Sequence, residues 1–399
     1  MLGRGKVRSL AMTSPFIIAG IDVTRSSSGG AEAHILEILA AADPIKHGIS
    51  KVVVWANSEL GSKLPARDWL EVRRPFASDW SLIKKISWQK FILPNEAAAC
   101  GVSVMFQTDA ASVCRFSPSV VLSQDMLPFE YGERQRYRYL SRHFFSRLKL
   151  EFSRRIQINS FVRAEKVVFL SDRAAKVISE AADIASFTVI PHGVSTKFSD
   201  VSLNTRAKVL VGEAPTILYV SHVTPYKHQW NVVDAVARIR SVSGISFKLR
   251  LVGGLAGSDA QRLQTAIQRF DPALEYVCCT PKLSNDEIPA ELAACDIFVF
   301  ASSCENLPIT LLEAMRAGAL IVCSNKGPMP DVLRDGGVYF DPDLPCSLVD
   351  ALNFMLSNKE LHDFYRHRAK ALSDSYSWQS AATATWETLA ECAGNYHDE

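Results

Sequence analysis

The stretch DIFVFASSCENLPITLLEAMRAGALIVCS, residues 296–324, reads as strand, loop, helix and strand. Residues 296–302 form an apolar run without polar alternation, the pattern of a strand buried on both faces. Pro308 suits the first helical position, where its missing N–H costs nothing. The amides of Ile309 and Thr310 then have no partner inside the helix, and unpaired amides at a helix start bind phosphate. Glu313 follows about one and a half turns further in, and Glu305 precedes the helix. A carboxylate at Glu313 repels phosphate but accepts two hydrogen bonds from a ribose diol, and Glu305 is placed to meet a second hydroxylated group. The plainer reading makes Glu305 a helix cap and Glu313 a surface acid. The pair at this spacing favours a ligand that is anionic and carries hydroxyls.

The same alternation runs outward in both directions. Candidate strands before the centre of the chain are 15–21, 51–56, 102–107, 119–123, 166–171 and 187–190. After it they are 216–221, 247–253, 274–278, 296–302 and 319–324. Helical patterns between them imply right-handed β-α-β units in parallel sheets. The fold class is therefore α/β, with two successive Rossmann-like, doubly wound domains. The first spans 14–198. Residues 199–214 are polar with poor periodicity and read as a linker. The second domain spans 215–375. The last helical segment, within 376–399, has no strand of its own and is expected to pack back on the first domain. A ligand site belongs in the interdomain cleft, at the carboxyl ends of both sheets.

Composition narrows the function. The chain has 399 residues, 48% of them hydrophobic and 22% charged, which fits two well-cored domains rather than disorder. A net charge of +2 makes no electrostatic case for a nucleic-acid partner. Nine cysteines form no C-x-x-C pair, so buried free thiols in a reducing cytosol are preferred to disulfides or a metal site. The first residues, MLGRGKVRSLAMTSPFIIAGI, mimic a signal peptide, but Thr13, Ser14 and Pro15 interrupt the apolar run. Residues 1–13 read as a ragged leader and Phe16–Ile21 as a first strand. No apolar stretch reaches the roughly 18 residues that span a bilayer. A cytoplasmic protein is expected, at most peripheral on the inner face of the plasma membrane.

Glu305 and Glu313, with proline between them and EAM-x-x-G behind, resemble the retaining glycosyltransferases of the GT-B fold, family 4, and SNKGPMPDVL resembles the next segment of that family. The resemblance implies that Glu313 binds the nucleotide ribose, that Glu305 lies by the donor sugar, and that the loop Asn306, Leu307, Ile309 and Thr310 holds sugar and phosphate. A glycine usually stands where this chain has Asn306. LYVSHVTPYKHQWNVVDAV, residues 218–236, matches the strand-loop-helix that holds the donor diphosphate. Lys227 takes the place of the phosphate-binding lysine, and His222 stands where an arginine is usual. A lysine at a helix start opposes the helix dipole, and that mismatch itself argues for a bound anion.

Gly29 and Gly30 lie between the first strand and its helix. Either a plain turn or close backbone approach to a phosphate explains them; in the resembled family they face the diphosphate. Gln124 and Asp125 occupy a loop where many members carry a histidine. Asp125 is placed either to bind a sugar hydroxyl or to cap the following turn. Gly193, in IPHGV, is expected to supply a positive φ, and His192 to be structural. Catalysis is assigned to Glu305, Lys227 and Asp125. No cofactor and no metal are expected, because no D-x-D pair sits at a strand end and the nucleotide-sugar donor is itself a substrate.

Tyr137, Leu140, Phe144, Leu148 and Phe152 recur at helical spacing as one apolar stripe. Arg138, Arg142 and Lys149 border it on one side and Arg136, Arg147 and Arg154 on the other. One reading is a core helix with a basic solvated face; the other is a basic surface meeting anionic lipid or a lipid-linked acceptor. WSLIKKISWQKFIL, residues 80–93, adds aromatic and basic residues. The expected activity is transfer of a hexose-type sugar from a nucleotide-diphosphate sugar to a glycan or lipid-linked acceptor in surface polysaccharide, lipopolysaccharide or O-antigen synthesis. A nucleotide-sugar epimerase and a non-catalytic binding module are the alternatives.

Overall fold

The computed structural model describes residues 16–25, 30–75, 80–139, 144–199, 214–255 and 259–395. Two parallel sheets organise them. The first holds β1 (Ile17–Val23), β2 (Ile49–Ala56), β3 (Leu70–Arg73), β4 (Val104–Gln107), β5 (Ser119–Ser123), β6 (Lys166–Phe169) and β7 (Phe187–Val189), in the order β3-β2-β1-β4-β5-β6-β7. The second holds β8 (Thr216–Val220), β9 (Lys248–Val252), β10 (Val277–Thr280), β11 (Ile297–Phe300), β12 (Leu320–Ser324) and β13 (Val338–Phe340), in the order β10-β9-β8-β11-β12-β13. In each sheet the chain winds outward on one side, returns to the middle and winds outward on the other. The order reverses between β1 and β4 in one sheet and between β8 and β11 in the other. At such points the loops diverge and leave a crevice at the carboxyl ends of the strands.

The central strands are buried along their whole length, which is why they read as unbroken apolar runs. The two strands that no apolar run announces are β3 and β13. Both lie at sheet edges and are largely half-buried, so neither needs a continuous apolar sequence. The run expected at 274–278 begins as a turn instead. Leu274 has φ +53, and the strand starts at Val277.

Most of the expected linker, residues 200–213, lies outside the described residues. The closing helix Trp378–Asn395 lies against the first sheet's helix layer: the Trp386 indole donates to Ala42 O at 3.3 Å, and Lys166 pairs with Glu391 at 2.8 Å. Trp386, Leu389 and Ala393 are fully buried there. Where the chain re-enters the first domain, Val194 N donates to Tyr376 O at 3.2 Å. Gly193 was expected for a positive φ, but it is not among the positive-φ residues. It is required for space, since a Cβ there would sit 2.0 Å from Trp378 N.

All nine cysteines are free. Burial is not uniform, because Cys278 and Cys346 are exposed. Among the described residues, no helix is long and apolar enough to cross a membrane.

Candidate active site

The second crevice gathers the residues that the sequence singled out. After β8 the chain makes a short turn, Pro225–Lys227, before the helix Gln229–Ser243. The buried Tyr219 hydroxyl donates to Lys227 O at 2.8 Å and fixes that turn from below. His228 follows in the left-handed region, with φ +52. The ammonium of Lys227 therefore points across the crevice, where it pairs with the Glu305 carboxylate from the loop after β11. Lys227 is 7% exposed, so in this state its counter-charge is Glu305 rather than solvent. The sequence assigns the two separate ligand groups; the structure also makes them partners.

The helix after β11 is Ile309–Arg316, and Pro308 is its N-cap rather than its first residue. Pro308 O accepts from the amides of Leu311 and Leu312 at 3.0 and 3.1 Å, and no side chain caps the helix. The amides of Ile309 and Thr310 sit in the first turn, where the helix itself offers no acceptor. Opposite them is the start of the helix Gly30–Ala41: a Cβ on Gly30 would lie 3.5 Å from Ile309 Cδ1. Two helix N-termini thus converge from the two domains, and their dipoles add toward an anion between them. Gly29 lies outside the described residues.

Asn306 and Leu307 turn away from this space. The Asn306 amide donates to Ser123 O at 2.7 Å, and Ser171 donates to Asn306 O at 3.1 Å. The asparagine that replaces the usual glycine therefore ties the donor loop to the first domain through its side-chain Nδ2 and its backbone carbonyl. Leu307 is buried in the apolar core, leaving only its backbone for a ligand.

Glu313 lies one turn below the helix start, half-buried. Burial pushes its carboxyl up to about 8; Lys197 draws it down and Glu37 raises it further. Glu37 is itself raised by burial. Glu313 is thus largely protonated at neutral pH, an acid held without a full counter-charge, as expected of a group that meets a polar ligand. His222 is exposed on the loop after β8, and Gln229 donates to its carbonyl at 2.9 Å. Partial desolvation, then the charge of Lys227, holds its imidazole below the ordinary range, so it joins Lys227 as a neutral donor. Gly253 makes this loop path available: with φ +134, its Cβ would lie 2.2 Å from Ser221 O.

The first crevice has other chemistry. Asp22, at the end of β1, accepts from Thr24 N at 3.0 Å, Thr24 Oγ1 at 2.7 Å and Gln89 Nε2 at 2.6 Å. Burial raises its carboxyl and these bonds oppose the rise. Arg25 pairs with Asp109 at 3.2 Å. Asp125 accepts from Leu127 N at 3.0 Å, so it caps its own turn, which settles one of its two readings. It still lines a cavity of about 310 Å³ with Arg25, Asp109 and Gln124.

Sequence reasoning missed a network between the domains. Ser303 donates to Glu133 Oε1 at 2.6 Å, and its hydroxyl lies 2.9 Å from His228 Nε2. Arg136 pairs with Glu133 and reaches Asp343 at 2.6 Å. Arg136 is therefore spent on an interdomain bridge and not on a free basic face. Only pairing across the fold reveals these contacts; no local motif carries them. His192 is buried with Nδ1 2.9 Å from His34 Nδ1, and burial holds His34 down at about 3, so this pair is neutral and structural. Only the end of the expected apolar stripe lies among residues whose side chains are described, and that end faces solvent. Leu148 is 55% and Phe152 65% exposed, while the side chains of Tyr137, Leu140 and Phe144, and of Arg138, Arg142 and Arg147, lie outside the described residues.

Residues 202–372 match the family described as Glycosyl transferases group 1. Over 220 residues the chain is 28% identical to the GDP-mannose-dependent alpha-(1-6)-phosphatidylinositol monomannoside mannosyltransferase of Mycobacterium tuberculosis (strain CDC 1551 / Oshkosh), covering 52% of this chain and 54% of that protein. The chain thus spans about half the length of that curated relative. Sucrose-phosphate synthase from Thermosynechococcus elongatus superposes with a TM-score of 0.75 at 15% identity, over 95% of this chain and 100% of that one. Anabaena HepE, solved in complex with UDP, superposes with a TM-score of 0.69 at 19% identity, over 94% and 100%. The architecture is therefore the GT-B arrangement of two Rossmann-like domains, and the second of them carries the glycosyl-transferase match.

Proposed function

We propose that the chain is a retaining, metal-independent glycosyltransferase of family 4 that moves a hexose from a nucleotide-diphosphate sugar to a glycan or lipid-linked acceptor. The observation that carries this reading is the meeting of Lys227 and Glu305 at the second crevice, beside the first-turn amides of Ile309 and Thr310. A donor diphosphate entering there takes Glu305's place as partner of Lys227. The amides and the ammonium then neutralise charge on the leaving diphosphate as the glycosidic C–O bond breaks. The acceptor oxygen attacks from the face the leaving group occupies, and the departing phosphate oxygen takes the acceptor's proton. Glu305, released from Lys227, accepts from the donor sugar, and Glu313 holds the ribose diol.

The acceptor enters at the first crevice, beside Asp125, Gln124 and Arg25. Its lipid-linked form is supported by the exposed apolar residues of the same domain. Leu82, Ile83, Phe91 and Ile92 are 56%, 77%, 63% and 47% exposed, on or beside the helix Leu82–Phe91 that also carries Lys84 and Lys90. Apolar residues among lysines suit an anionic membrane surface. The test of the proposal is turnover of UDP- and GDP-hexoses by purified protein, with a lipid-linked acceptor supplied, in EDTA. Retained turnover with the anomeric configuration kept is expected. Complete loss that added metal restores overturns the metal-free step.

A further inference from the structure

A cavity of about 530 Å³ opens on the first domain away from the Lys227–Glu305 pair. Arg115, from the loop between β4 and β5, and Arg163, the last residue of the helix Phe144–Arg163, both line it. Among the described residues neither has an acidic partner. Arg163 spends its Nε on Asn159 O of its own last turn at 3.1 Å, which leaves four N–H groups of the guanidinium for other partners. Partial desolvation, then the like charge of Arg115, holds the guanidinium of the exposed Arg163 below its ordinary range. Two cations that work against each other are relieved by an anion between them.

An anion alone does not account for the rest of the wall. Gln107, the last residue of β4, is 2% exposed, and its Oε1 has no hydrogen-bond partner. A buried orphan acceptor calls for a donor, and a carboxylate offers none. The nearly buried Ser119 and Ser160 line the same space, and Phe116 adds an aromatic wall. The cavity therefore presents cations, an acceptor, hydroxyls and a ring face together.

We infer that this cavity binds an acidic saccharide unit, a sugar that carries a carboxylate or phosphate beside free hydroxyls. Arg115 and Arg163 take the anionic group, Gln107 accepts from a sugar hydroxyl, and the ring packs on Phe116. Gln107 is followed directly by Thr108 and Asp109 at the first crevice, so the unit belongs to the acceptor glycan, back from its growing end. That origin rests on the proposed function; the binding itself does not.

Calorimetry on the full chain tests it, with glucuronate, glucose 6-phosphate, glucose, inorganic phosphate and a short glucuronate-containing oligosaccharide as probes. The acidic sugars are expected to bind saturably and about tenfold or more tighter than glucose or phosphate, as hydrogen bonds to a charged group require. Arg115→Gln and Arg163→Gln, both at exposed positions, should each weaken that binding about tenfold and leave UDP and GDP binding as in the parent. The oligosaccharide should bind at least as tightly as glucuronate. Equal binding of phosphate and sugar acid, or binding that neither arginine variant weakens, overturns the site. Rejection of the oligosaccharide with retention of the monosaccharide overturns the acceptor origin. Failure of the donor reading shows separately, as nucleoside diphosphates that do not bind in the same samples.

Discussion

The two crevices share a topology and differ in charge logic. At β1/β4 the acid is central: Asp22 is buried and fully engaged by Thr24 and Gln89, and Arg25 is neutralised by Asp109. At β8/β11 the groups are held in readiness. Lys227 has a single carboxylate partner, the helix at Ile309 has no side-chain cap, and Glu313 is a half-buried acid whose carboxyl is raised. Winding order alone makes a crevice; it does not say what enters it. The network with its charges paired suits a rigid wall for a hydroxylated acceptor. The under-compensated one suits an incoming dianion.

The contrast breaks most directly at the central charges. Lys227→Ala should lower kcat by about 10²–10³, the usual loss when one donor to a developing anion is removed. Asp22→Asn should instead lower the melting temperature, because an amide NH2 takes the place of one of the oxygens that accept from Thr24 and Gln89, and leave donor binding as in the parent. Donor turnover and thermal melts of both variants check the pair. A normal kcat for Lys227→Ala would remove the distinction.

Next in size is the ribose contact. Glu313→Ala should weaken nucleoside-diphosphate binding by about 2- to 10-fold, equivalent to about 0.5–1.5 kcal/mol for a neutral hydrogen-bonding group. Glu305→Ala should lower kcat more than nucleotide affinity. Titration calorimetry beside steady-state rates separates the two roles, and an unchanged affinity in Glu313→Ala places the ribose elsewhere.

A smaller effect sharpens the picture without ligand. The folded Glu313 carboxyl is raised from 4.5 to about 8. Between those values the folded protein keeps a proton that the unfolded chain releases, so stability falls as pH rises through this window. Glu313→Gln removes that loss. Its melting temperature should exceed the parent's at about pH 7–8 and match it near pH 4.5. Parallel melting curves across pH 4.5–8 show no such convergence if the acid is not held protonated.

The smallest expected effect lies on the first domain's surface. Replacing Ile83 and Phe91 with Ser should reduce co-sedimentation with anionic vesicles about severalfold and leave melting unchanged, because both side chains are exposed. Equal pelleting of parent and variant assigns the patch to something other than lipid.

How much of this was legible in the sequence depends on distance along the chain. The central strands show as apolar runs because two buried faces demand them. The edge strands β3 and β13 are half-buried and leave no such mark. Glu305, Glu313 and the free amides between them are local, so spacing alone displays them. The contacts of Asn306 with Ser123, of Ser303 with Glu133 and of Arg136 with Asp343 join residues 183, 170 and 207 positions apart. No window on the sequence pairs them. The helix from Phe144 shows a different limit. Periodicity announces an apolar stripe but not what covers it, and Leu148 and Phe152 meet solvent.

The closing helix Trp378–Asn395 has a consequence in time rather than in space. Trp386, Leu389 and Ala393 complete the packing around Ala42 and the neighbouring strands of the first sheet. On the ribosome these residues emerge after the whole second domain. The domain that begins synthesis first is therefore finished last, with apolar surface on its helix layer waiting for its cover while the second sheet is made. That interval is when a chaperone has most to protect.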